Sequence, residues 1–397
     1  MSQIDAKLLN AKKMMESGRW PQAKVALTQA LQKAPTDQNA LVLMRFCLAH
    51  MNEHPQALYY AQKAAELFPT NADIQYNLSA SFAATLKPEP AIAAAKRALE
   101  INPKHRPSIA ALTALYAQKS QFVDSLEQAQ RGMALDPLNP MLAMYAAAAM
   151  VQLGRADEAI RELRPAILKM PPDLELLKSL VTAHMYAPSV EPSEVFAAHM
   201  SLGRMLAEMV PEVREPFAND LTPDRPLRIG IFTSDARRHA VWFFLKPFLD
   251  HYDRSKIRVT VYSNSRDKDD FTATLREIAE RDSKGWDVPA WREVFDLEHE
   301  PTMRRIRDDR IDILVDLNGW TINNGMVSLA MRAAPIQAEW LGYPYTTGVS
   351  TMDYRITDSL LDPESTQSQS RETLFHAEPC SFAWIPAPDA APANLVP

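Results

Sequence analysis

Small and apolar side chains recur through the first half of the chain with a fixed step. Prolines stand at 35, 69, 103, 137 and 171, each 34 residues after the last. Twelve and five residues before each proline sit Ala23 and Ala30, Ala57 and Ala64, Ala91 and Ala98, Ser125 and Gly132, and Ala159 and Ala166. Seven residues are two helical turns, so each pair lies on one face of a helix and lets a neighbouring helix pack closely. The proline ends that helix, since it has no N–H to donate and its ring collides with the turn before it. Gly18 before Trp20, and Gly154 between Leu153 and Arg155, mark the tight bend inside each hairpin.

This step and this placement of small residues resemble tetratricopeptide repeats over residues 4–172. A single hairpin cannot bury its apolar face, so the units are expected to stack into a superhelix whose concave surface holds proteins or peptides. Past Pro172 the period fades into two or three further helices, one starting near Pro192, Ser193 and Glu194, which are expected to cap the array. The repeat domain with its caps is thus placed at 1–210. Pro211, Pro216, Pro223 and Pro226 then punctuate a linker, 211–226.

From Leu227 the pattern alternates strand-like and helix-like runs. LRIGIFTS (227–234) precedes a helix through 241–250, VTVYSN (259–264) precedes a charged helix over 269–281, and a helix through 302–309 leads into IDILVDLNG (311–319). IQAEWLG (336–342) and MDYRITD (352–358) are two further strand candidates. The run at 311–319 is apolar enough for a strand covered on both faces. Strands separated by helices imply a parallel sheet between helical layers, a Rossmann-like three-layer α/β lobe at 227–385, with a Pro- and Ala-rich tail at 386–397. Ligands in such folds bind beyond the carboxyl ends of the strands. Asp235 and His239, the stretch from Asn318 to Asn324, and Tyr343 to Gly348 all fall there.

Composition narrows the chemistry. The 43 basic and 49 acidic residues leave a formal charge of −6, the wrong sign for a partner of nucleic acid phosphates. The first residues form no leader, and the longest apolar stretch, around 141–151, is too short to span a bilayer, so a cytoplasmic protein with no membrane contact is expected. Cys47 and Cys380 lack disulfide or metal-ligand spacing, and no metal site is expected. Only 10 glycines occur, without a G-x-G-x-x-G or P-loop pattern, which disfavours a dinucleotide cofactor held by glycine turns.

RIGIFTSDARRHA, IDILVDLNGWTINNG and APIQAEWLGYPYTTGVSTMDYRITDSLLDP together resemble the amino-proximal catalytic lobe of the SPINDLY and O-linked N-acetylglucosamine transferase family. A repeat array followed by this lobe is that family's domain order. The resemblance implies half of a two-lobed glycosyltransferase that moves a sugar from a nucleotide donor, UDP-GlcNAc or GDP-fucose, to Ser or Thr of proteins, with no further cofactor. It places His239 in the donor cleft, where a neutral imidazole is expected to accept the proton of the attacking hydroxyl or to hydrogen-bond the donor. Asn318, Thr321, Thr346, Thr347 and Gly348 are the matching candidates for holding the donor through hydroxyls, an amide and backbone N–H groups.

Two departures qualify the implication. The family's second lobe would follow at about Pro386, which leaves this chain weak or inactive by itself, with a separate chain as one source of the missing lobe. Trp320 also stands where relatives keep a histidine, and an indole there is expected to close the site or to stack on a ligand face. Asp235 and Asp312 are lesser candidates for a general base, and Arg237 with Arg238 for phosphate. The alternative is a non-catalytic scaffold whose repeats bind proteins and whose α/β lobe is a docking module.

Overall fold

The computed structural model describes residues 3–281 and 283–386. Of the expected tail at 386–397, residues 387–397 lie outside them. The chain divides into two compact units, residues 1–188 and 189–397. Among the described residues no helix is long and apolar enough to cross a membrane.

The first unit is a run of antiparallel helices: α1 (Gln3–Glu16), α2 (Trp20–Lys33), α3 (Gln38–His50), α4 (His54–Leu67), α5 (Ala72–Ala84), α6 (Pro88–Ile101), α7 (Arg106–Gln118), α8 (Phe122–Leu135), α9 (Pro140–Gln152), α10 (Ala156–Ile167) and α11 (Leu174–Tyr186). Each helix contacts its sequence neighbour, and alternate helices such as α1 and α3 also touch, as in a stacked array. The small residues expected at the close approaches are buried at Ala23, Ala30, Ala57, Ala64, Ala91, Ala98, Ser125, Gly132 and Ala159. The side chain of Ala166 lies outside the described residues.

Two further signals repeat every 34 residues. Asp37, Asn71, Asn139 and Asp173 each cap the first helix of a hairpin, accepting from the backbone N–H three residues on. His105 holds the same place and instead bonds Ser108 Oγ and the Asp73 carboxylate through its two ring nitrogens. The bend within each hairpin places Gly18, Asn52, Leu86, Ser120 and Gly154 at φ between 57° and 73°. Only two of these five are glycine, which is why the sequence showed only two of the bends.

The second unit opens with α12 (Pro192–Met209), the helix expected to cap the repeats. That expectation is corrected, because α12 belongs to the α/β unit. His199, fully buried on α12, pairs through Nε2 with the Tyr343 hydroxyl at 2.8 Å, and the uncovered Cα of Gly203 lies against the backbone of Gly348. The linker is also held: Arg307 donates to the carbonyls of Val213 and Glu215, and its guanidinium stacks on Phe217.

Seven strands form one parallel sheet: β1 (Leu227–Thr233), β2 (Ile257–Ser263), β3 (Trp291–Glu293), β4 (Ile313–Asp316), β5 (Ile336–Trp340), β6 (Tyr354–Thr357) and β7 (Thr373–His376). Helices α13 (Ala240–His251), α14 (Asp270–Glu280), α15 (His299–Asp308) and α16 (Met326–Ala330) complete the unit. The spatial order is β3-β2-β1-β4-β5-β6-β7, every pair parallel. The three-residue β3 and the half-exposed β7 escaped the sequence reading because neither carries an apolar run. Trp242, Leu245, Leu249, Val259, Val261 and Leu275 are among the side chains that build the core beneath β1 and β2.

Candidate functional site

The strand order reverses between β1 and β4. Chains leaving these two strands turn to opposite sides, which opens a crevice at their carboxyl ends and makes this the ligand-binding end of such sheets. Phe232 and Asp316 are partners in register there, and both strands end in polar loops.

Asn318 ties the two loops together. Its Oδ1 accepts from the Ser234 N–H at 2.8 Å, and its Nδ2 donates to Ser234 Oγ at 2.7 Å and to Asp235 Oδ2 at 2.8 Å. Asp316 supports this turn from below, accepting from the N–H groups of Asn318 and Gly319. Asp316 is wholly buried, and its Oδ1 has no hydrogen-bond partner among the described residues. Burial pushes its carboxyl up to about 7, against the pull of the two N–H groups and with a further push from Asp235.

His239 stands at the N-terminus of α13 and keeps about two fifths of its side chain exposed. Nδ1 accepts from the Val241 N–H at 3.4 Å and lies 3.8 Å from Asp235 Oδ2. The chain Asp316, Asn318, Asp235, His239 thus runs from the sheet interior to the crevice, with the imidazole as its accessible end. Arg237 contributes a second, longer contact to Asp235 at 3.7 Å.

The other candidates are placed differently from the sequence expectation. Asn318 is fully buried with its amide engaged, and Thr321 Oγ1 donates back to the Asn318 carbonyl at 2.9 Å. Thr346 and Thr347 are buried, and both hydroxyls donate to the carboxylate of Glu372, which also accepts from the Thr347 N–H at 2.8 Å. Gly348, at φ +70, lies so close to α12 that an added Cβ would sit 2.2 Å from the His199 carbonyl oxygen. These residues shape the loops from inside, and their side-chain hydrogen-bonding groups are engaged by the protein. Trp320 is also buried, with its indole N–H donating to the Thr347 carbonyl at 2.7 Å. It fills space between two loops and presents no open face for stacking. Asp312 lies at the other end of β4, gripped by Arg225 through two hydrogen bonds, which removes it as a general base.

Sequence reading missed Glu339. It sits in β5 beside Asp316 in register, is 1% exposed, and has an unpartnered Oε1. Burial holds its carboxyl well above the usual range, against the attraction of Arg355, whose Nε lies 3.6 Å away. Both residues line a cavity of about 270 Å³ with Tyr343, Pro344, Asp362 and Phe382. The signal was present in the sequence: an acid inside the apolar run IQAEW has no structural reason to be there unless something pairs with it.

The profile of glycosyl transferase family 41 matches residues 194–383. The SPINDLY protein of Arabidopsis thaliana, named a probable UDP-N-acetylglucosamine–peptide N-acetylglucosaminyltransferase, is 36% identical over 204 residues, 51% of this chain and 22% of the relative. The SPINDLY protein of Solanum lycopersicum, named in the same way, is 32% identical over 231 residues, 58% of this chain and 24% of the relative. A mutant of the Thermobaculum terrenum O-GlcNAc transferase superposes with a TM-score of 0.68 at 26% identity, covering 81% of this chain and 61% of that one. The matched part spans under a quarter of the length of these curated relatives. The α/β unit, with its switch-point histidine, matches glycosyl transferase family 41 over residues 194–383 and is similar to the SPINDLY and O-GlcNAc transferase proteins.

Proposed function

We propose that this chain carries the amino-proximal half of a protein O-glycosyltransferase that uses a nucleotide sugar, UDP-GlcNAc or GDP-fucose. The observation that carries the reading is the Asp235–His239 pair at the switch point of a parallel sheet. Exchanging the long 3.4 Å bond that Nδ1 accepts from the Val241 N–H for one that Nδ1 donates to the Asp235 carboxylate, 3.8 Å away, would leave Nε2 free to take the proton of a Ser or Thr hydroxyl. The hydroxyl oxygen then bonds the anomeric carbon as the bond to the nucleoside diphosphate breaks, and the diphosphate leaves with the electron pair. Glu339 and Arg355 would offer hydrogen bonds to the sugar from the adjacent cavity.

Stabilising the departing diphosphate needs donors on its far side, and the chain's relatives are several times longer than the matched region. We assign those donors to a second lobe, on this polypeptide's natural continuation or on a separate chain. Proteins on the repeats would supply the acceptor. In the first unit Trp20, Phe46, Met15, Lys12 and Arg45 line an apolar cavity of about 360 Å³ suited to an anchoring side chain.

The test is calorimetry with UDP-GlcNAc and with GDP-fucose, for the chain alone and mixed with a second lobe from a family member, followed by transfer of labelled sugar. Binding of one donor, with transfer that needs the second lobe and is lost in His239→Ala, supports the reading. No donor binding in either state, while the repeats still capture proteins, would leave the non-catalytic scaffold as the function.

A further inference from the structure

At the opposite end of the sheet, where β1 and β2 begin and the chain enters β4, a cavity of about 210 Å³ is lined by Asp220, Arg225, Pro226, Arg228, Arg258 and Arg310. Four guanidinium groups converge on it. Two are committed to the fold: Arg225 forks onto Asp312 at 2.7 and 2.8 Å, and Arg228 donates to Asp287 at 2.6 Å and to the Asp309 carbonyl at 3.0 Å. The other two are not. Arg258 lies over the Trp286 ring and reaches one carboxylate, the far oxygen of Asp287 at 3.5 Å, which Arg228 already takes. The Arg310 side chain is exposed and makes no hydrogen bond or ion pair among the described residues.

Arg310 is also held at φ +53, in the left-handed region that L side chains rarely adopt. Nothing in its packing demands arginine there, and glycine would fit more easily. This turn closes the C-terminus of α15, with the Arg310 N–H donating to the Arg307 carbonyl, and it leaves an unpaired cation at the mouth of the cavity, which points to an anionic ligand. Guanidinium donors lie in a planar fork that matches two oxygens of a tetrahedral oxyanion. Asp220 also lines the cavity, and Asp287 and Asp312 stand behind it on Arg228 and Arg225, so an extended polyanion is disfavoured and the ligand is one compact, highly charged group.

We propose that this cavity binds the phosphate group of a small molecule, through Arg258 and Arg310, at a site separate from the crevice at the carboxyl ends of the strands. The phosphate is either free or carried by a nucleotide. Its distance from His239 along the full length of β1 gives it no part in the chemistry, so its effect is on the stability of the amino ends of the central strands and of the linker.

Inorganic phosphate and uridine diphosphate would be titrated separately into the full chain at matched ionic strength, by calorimetry and by thermal unfolding. The variants are Arg258→Ala, Arg310→Ala, Arg310→Lys and His239→Ala. Saturable binding that weakens at least about tenfold in each alanine variant at Arg258 and Arg310, persists in His239→Ala and partly returns in Arg310→Lys supports the site. Within that pattern, equal affinity for the two ligands identifies free phosphate as the ligand, and tighter diphosphate binding identifies a nucleotide. Absence of saturable binding overturns the proposal, as does binding kept within about twofold in Arg258→Ala and Arg310→Ala.

Discussion

The indole N–H of Trp320 and the carbonyl oxygen of Thr347 meet at 2.7 Å, tying the loop after β4 to the loop after β5. Both groups are buried, so neither can turn to water when its partner is lost. Trp320→Phe keeps most of the volume and orphans the carbonyl, and is expected to cost about 1–3 kcal/mol in the second unit. Trp320→Ala also opens a cavity and should cost about 3–5 kcal/mol. Denaturant unfolding followed by fluorescence checks both. A Phe variant as stable as the parent would show that the bond carries no weight.

In the repeats, Leu86 is held at φ +57 with its side chain 84% exposed. The left-handed conformation penalises a Cβ, and the exposed side chain returns little burial in compensation. Leu86→Gly is therefore expected to stabilise the first unit by about 0.5–1 kcal/mol, the relief of strain being partly offset by the freer unfolded chain. Gly18 and Gly154, which already occupy this place in their own hairpins, should lose stability on change to alanine. The measurement is the thermal midpoint of each variant by circular dichroism.

Gly203 on α12 and Gly348 in the loop after β5 face each other without room for side chains. A Cβ at Gly203 would lie 1.9 Å from the Gly348 carbonyl oxygen, and one at Gly348 would lie 2.2 Å from the His199 carbonyl oxygen. Backbone on both sides cannot yield as a flexible side chain would. Gly203→Ala should thus push α12 off the sheet and break the His199–Tyr343 bond, costing about 1–3 kcal/mol or more. Hydrogen exchange across 192–209 should rise in the variant, and unchanged protection would refute the close approach.

Asp316 makes stability depend on pH with a definite sign. Its carboxyl titrates at about 7 in the fold, far above its value in an unfolded chain, so the native state holds the proton more tightly. The group's contribution is greatest below the unfolded value near 4, falls as pH rises toward 7, and is constant beyond. The slope can reach about 1.4 kcal/mol per pH unit over that window. Asp316→Asn removes the titration while its amide oxygen still accepts from Asn318 and Gly319. The difference in unfolding free energy between parent and variant, measured from pH 4 to 8, should follow that curve. Glu339 lies beside Asp316 in register and shifts in the same direction, so the observed curve belongs to the pair.

Sequence alone determined what local chemistry controls. The 34-residue step, the small faces of the second helices and the apolar run of β4 are set by contacts within a turn or a hairpin, and periodicity reports such contacts directly. The motifs at 228–240, 311–325 and 334–363 likewise pointed to the family that the α/β unit matches. The roles of site residues were decided only by tertiary structure, because the Asn318 bond to Asp235 spans 83 residues and the grip of Glu372 on Thr347 spans 25. A threonine at a strand end reads the same whether its hydroxyl faces a ligand or a buried carboxylate. The same limit hid the attachment of α12, whose alternation of apolar residues is equally suited to capping a repeat or covering a sheet. Burial, which no linear pattern states, chose between them, and it also raised the carboxyls of Asp316 and Glu339 above the ordinary acid range.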